Sequence, residues 1–142
     1  MSMINAREYI RSRAKSLGLS EWKDGFDSSN LPDTILDKSF WLDMSDIASG
    51  IRRDQIDYEI NFPISVRLFR KGYRTPADAI DDSIALIENL IKAVCAPAQA
   101  NAQKNGIIGV TFDTSRIEPI SASNNNSVVA TVTFNFFVIL NV

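Results

Sequence analysis

Asp43 and Asp46, and the run "DAIDD" (Asp78–Asp82), place carboxylates three and four residues apart, a spacing that can share a proton or hold a hard cation. A second group, "RLFRKGYR" (Arg67–Arg74), interleaves basic and aromatic side chains, the mixture that grips phosphates and stacks bases. Each has a plainer explanation. Acids in the first turns of a helix favour its positive end, and Asp43/Asp46 fit a strand-end turn. The basic run ends a strand just before a helix cap, in a chain of net charge −2 with an acidic block immediately upstream. "GIIGV" lacks the third glycine and the following helix of a phosphate loop.

No histidine occurs anywhere, which removes the commonest general base and zinc ligand, and the single Cys95 has no Cys or His companion for a disulfide or a metal. Carboxylate or lysine chemistry alone would remain. The expectation is a protein that is not an enzyme, with no catalytic residues, no metal and no cofactor.

The elements that carry these residues are read from periodicity. Asn5–Leu17 predicts a helix, with Asn5 as cap, Glu8 three residues on and Gly18 as stop. Its thin stripe of Ala6, Ile10, Ala14 and Leu17 predicts a surface position near a sheet edge. In the loop that follows, Trp22 and Phe26 are expected anchors. "SFWLDMS" alternates as a strand, "ASGIRRD" predicts a turn around Gly50, and "QIDYEINFPISVRLFRK" alternates over a long strand. Ile56, Tyr58, Ile60, Phe62, Ile64, Val66 and Leu68 should face a core; Pro63 predicts an edge position or a bulge.

Thr75 as N-cap and Pro76 at the first helical position open a helix over Pro76–Cys95, with Ile80, Ile84, Ile87, Ile91 and Val94, widened by Leu90, as the expected buried stripe. A closing hairpin over 107–142 turns at Asn124–Asn126. The expected architecture is α+β: one domain with N-terminal helix 5–17, hairpin 39–71, helix 76–95 packed on one face, and C-terminal hairpin 107–142, its antiparallel-rich sheet built of long strands.

With 142 residues, 45% hydrophobic and 23% charged, the chain matches one globular domain without disulfides. Its apolar runs fall short of a membrane span and its start lacks a signal peptide's apolar core, so the expectation is a protein made and kept in a cytoplasm, away from membranes.

Two features point beyond a single copy. No charged side chain follows Glu118, and "SVVATVTFNFFVILNV" reads as one strand of sixteen residues. At ~3.3 Å per residue that is about 50 Å, against a diameter of roughly 37 Å for a domain this size. Its end is therefore expected to leave the body and pack on another copy, through Phe137 and Ile139. Charge also falls in blocks: net +3 over 1–20, −6 over 21–59, +4 over 60–75 and −3 beyond. Arg67, Arg70, Lys71 and Arg74 are expected to face Asp43, Asp46, Asp54 and Asp57 of the next copy, a head-to-tail contact able to close a ring.

"NLPDTILDKSFWLDM", then "FPISVRLFRKGYRTPADAIDDSIALIENLI", then a closing hairpin, resembles the tail terminator (tail completion) proteins of long-tailed bacteriophages in the order of its pieces, from Asn30 onward. The resemblance implies a homo-oligomeric ring, commonly a hexamer, that sits on the last ring of the tail tube protein and stops its polymerisation. It also implies a surface for a head-completion (neck) protein, a lumen that passes DNA without specific binding, assembly in the host cytoplasm and residence in the virion. "SEWKDGFDSS" has no counterpart in that pattern. The alternatives are another neck component (adaptor or stopper), a tail tube subunit, or a dimeric small-molecule binding domain.

Overall fold

The computed structural model describes residues 2–22, 37–43, 50–52, 57–73, 75–95, 107–120 and 126–141. In chain order these form α1 (Ser2–Ser16), β1 (Ser20–Glu21), β2 (Ser39–Asp43), β3 (Gly50–Arg52), β4 (Asp57–Tyr73), α2 (Pro76–Cys95), β5 (Ile107–Ile120) and β6 (Asn126–Asn141). The architecture is α+β. One sheet runs β1-β2-β4-β6-β5, with β3 also on β4; only the β1–β2 pair is parallel.

β6 is an internal strand of this sheet, between β4 and β5. β6 pairs with β4 from Asp57↔Asn141 to Tyr73↔Asn126, and on its other side with β5 from Ile107↔Val138 to Ile120↔Ser127. Nearly the whole backbone of β6 is thus covered by its own chain, which corrects the expectation of a strand whose end leaves the body. The excess length is real, but β4 has seventeen residues to the sixteen of β6, so each strand spans the other. Since β4 and β5 both run antiparallel to β6, they are parallel to one another; α2 carries the chain across and β6 inserts between them, a split β-α-β arrangement.

Alternation sets the two faces. Phe62, Ile64, Val66 and Leu68 on β4, with Ala130, Val132, Phe134, Phe136 and Val138 on β6, are fully buried beneath the helices, together with Phe40 of β2. The opposite face carries a small cluster of Trp41, Phe69 and Val129, against which Trp22 packs as an anchor; Phe26 lies outside the described residues.

Pro63 is inside β4 without harm, for a legible reason. The Phe40 carbonyl accepts from Trp22 N–H (2.7 Å), so the backbone groups of Trp41 and Asp43 turn the other way, to Arg67 and Ser65. By alternation Pro63 faces that same edge. There β2 covers Ser65–Phe69 and β3 covers Tyr58–Ile60, leaving 61–64 between them with no described partner. A residue without an N–H sits at the break in the ladder. Gly50 is not a turn: it opens β3, opposite Ile60. Residues 53–56, between β3 and β4, lie outside the described residues.

α1 begins at Ser2, so Asn5 lies inside its first turns and is not the cap. Gly18, at φ +83°, ends it as expected, in the left-handed region that glycine adopts at no steric cost. α1 reaches the sheet edge as expected, where Arg11 pairs with Glu21 of β1, but it is more than a surface helix. Ala6, Ile10 and Ala14 are fully buried, and the Tyr9 hydroxyl donates to the Val94 carbonyl (2.6 Å), locking α1 beside α2 on one face of the sheet.

α2 starts as predicted: Asp78 N–H donates to Thr75 Oγ1 (3.2 Å) and Ala79 N–H to the Thr75 carbonyl (3.3 Å). Its rotation differs from the expected stripe. Ala79, Ser83, Ile87, Leu90 and Val94 face the sheet, while Ile80 and Ile84 are 37% and 44% exposed. Ser83 meets its own polar need by donating to the Ala79 carbonyl (2.7 Å).

In the closing hairpin Asn126 is the first residue of β6; Asn124 and Asn125 lie outside the described residues.

Candidate functional site

The charges expected to meet across copies meet, in part, inside one. Trp41↔Arg67 in the β2–β4 register brings Asp43 beside Arg67, and Arg67 Nη2 donates to Asp43 Oδ2 at 3.1 Å. Both side chains keep solvent contact, so this pair contributes little to stability, ~1 kcal/mol or less.

Arg70 departs furthest from the expected role. It is 8% exposed, and its Nε donates to Asp37 Oδ1 (3.1 Å), with Asp82 of α2 3.7 Å from Nη2. The same Asp37 oxygen accepts the Lys71 N–H (2.9 Å) at the irregularity that ends β4 between Arg70 and Tyr73. Asp37 is aimed there by Lys38, whose φ of 64° is left-handed and whose backbone is held by Phe69 and Ser20. Arg70 is an internal pin between the entry to β2, the end of β4 and the first turns of α2. It is not a surface group awaiting a neighbour. Lys71 is half-buried. Asp57 opens β4 opposite Asn141, while Asp46, Asp54 and Arg74 lie outside the described residues.

Phe137 and Ile139 do lie on the face turned away from the helices, half-buried, opposite Asn61 and Glu59. The structure adds what the sequence reading passed over. The open edge of the sheet is β5: among the described residues nothing pairs with its outer side. That edge carries the usual deterrents to indiscriminate pairing, namely a register irregularity between Phe112 and Thr114, the charges Asp113, Arg116 and Glu118, and Pro119. Phe112 is 41% exposed there, on the helix side of the sheet, with its ring edge-on to Phe134 (centroids 6.4 Å, 68°).

Among the described residues no three His, Cys, Asp or Glu side chains are grouped to hold a metal ion. Burial pushes the Cys95 thiol above its ordinary value, against a hydrogen bond with the Phe112 backbone. Burial likewise raises the Tyr9 phenol, with the Arg13 guanidinium, 5.3 Å from its ring centre, opposing. A phenol raised in this way contributes stability below its unfolded value, lost as pH climbs through the folded one. Among the described residues no helix is long and apolar enough to cross a membrane. Neither protein-family models nor curated proteins match it.

Proposed function

We propose that this chain is a structural virion protein: the ring-forming tail terminator subunit at the neck of a long-tailed bacteriophage, closing the tail tube and offering a surface to the head. The observation that carries the reading is the order of its pieces from Asn30 onward: strand and long partner strand, capped helix, closing hairpin. Two features of the fold support it. The sheet has an open edge in β5, and apolar side chains stand at the surface on both faces: Ile80, Ile84 and Phe112 on the helix side, Phe137 and Ile139 half-buried on the other. A net charge of −2 also suits a lumen through which DNA slides, because lysines and arginines facing phosphates would release counterions and bind.

Negative-stain microscopy of the purified protein tests this. Closed rings of one diameter are the expected result. Open-ended tubes would assign the chain to the tube itself, and a two-fold dimer closed around a pocket would assign it to small-molecule binding.

A further inference from the structure

The helix layer has two outward flanks, and their chemistry is opposite. At 3.6 residues per turn, Asp82 and Ile84 stand on opposite sides of α2. The Asp82 side faces inward to β4, since its carboxylate approaches Arg70. Ile80, Ile84 and Ile91 therefore line the side toward the free edge of β5. Cys95, on the same line one turn beyond Ile91, meets the Phe112 backbone there. This flank is apolar at its centre, through Ile80 (37% exposed), Ile84 (44%) and Phe112 (41%). It is bordered by the exposed acids Asp81 and Glu88 of α2, with Lys92 the opposing cation on α2 and the exposed Asp113 next to Phe112 in β5.

On α1 the same construction gives the other flank. Tyr9 points to α2 through its bond to Val94, so the opposite side, with Arg7, Arg11, Ile4 and Lys15, faces away from α2. Arg11 bridges to Glu8 and, at 2.5 Å, to Glu21 of β1, which confirms that this side lies over the β1–β2 edge. Ile4 is 50% exposed, Lys15 is exposed with its Nζ 4.0 Å from the Glu21 carboxylate that Arg11 also meets, and the Nε of Arg7 is shielded from water with no hydrogen-bond partner among the described residues.

We propose that the α2–β5 flank of one copy docks on the α1 flank of the next. Ile80, Ile84 and Phe112 would bury against Ile4, and Asp81, Glu88 and Asp113 would face Arg7 and Lys15. The occupant is a second copy of this chain because the two surfaces are complementary in charge and share an apolar centre. They lie at opposite ends of one helix layer, so the contact is heterologous and repeats, as a closed ring requires. A two-fold dimer through α2 would instead set acid against acid. The inference rests on the ring reading above and names its lateral contact.

Sedimentation velocity and native mass of the full chain test it. Ile84→Asp and the pair Asp81→Arg/Glu88→Arg alter exposed positions, so the melting temperature should hold while assembly weakens about tenfold or more. Lys15→Glu with Arg7→Glu should do the same from the other side; the exposed Lys15→Glu alone serves if the half-buried Arg7 change perturbs folding. Combining the Asp81→Arg/Glu88→Arg and Lys15→Glu/Arg7→Glu reversals in one chain should restore assembly, because the contacts between these four positions re-form with their signs exchanged. A wild type that assembles while all these variants assemble equally well, or a combined reversal that restores nothing, overturns the flank contact and leaves the ring. A wild type that stays monomeric at every concentration overturns both.

Discussion

A chain ended after Asn125, lacking all of β6, should show no cooperative unfolding transition and no native-like sheet signal in circular dichroism. β6 is the shared partner of β4 and β5, so removing it leaves two long strands unpaired on their facing edges. It also takes Ala130, Val132, Phe134, Phe136 and Val138 from a core in which all five are fully buried. At roughly 1.5–3 kcal/mol for each larger apolar side chain, that loss matches or exceeds the whole stability of an ordinary domain, about 5–15 kcal/mol. Were β6 an arm resting on a neighbour, the shortened chain would instead persist as a folded monomer. A sharp urea transition in the truncated protein would return the strand to that role.

The largest single-residue effect is expected at Phe136. Its ring has no solvent exposure, stacks on Phe62 (centroids 6.1 Å, 24°) and meets Tyr9 edge-on (6.3 Å, 78°). It therefore ties together β6, β4 and, through Tyr9 and its bond to Val94, both helices. Phe136→Ala should cost about 3–5 kcal/mol in equilibrium urea unfolding, since a cavity under two helices and between two strands cannot collapse easily. Phe112→Ala, in the neighbouring strand on the same face, should cost about 1 kcal/mol or less because its ring is already wet. Similar costs at the two positions would mean the helices do not seal this face as described.

Local signals were legible in the sequence wherever a single element decides the outcome. Thr75 and Pro76 start α2, Gly18 stops α1, and the alternation from Ile60 to Leu68 assigns the core face of β4, all as expected. What the sequence conceals is pairing at a distance. Nothing near Val128–Leu140 indicates that β4, more than fifty residues earlier, closes its second edge. The rotation of α2 is hidden as well: Ala79 and the polar Ser83 are buried while Ile80 and Ile84 stay exposed, an order that hydrophobicity alone does not give. The candidate surface inherits both gaps. Arg67 and Asp43 become neighbours only through the β2–β4 register, and Arg70 is buried by a turn at Asp37–Lys38 that no periodicity marks.

The native mass of the purified protein bears most directly on the self-assembling ring. One species at a fixed whole multiple of 15.8 kDa, dissociating to single chains without unfolding, is the predicted result. A lone 15.8 kDa species at every concentration, folded and stable, would contradict it.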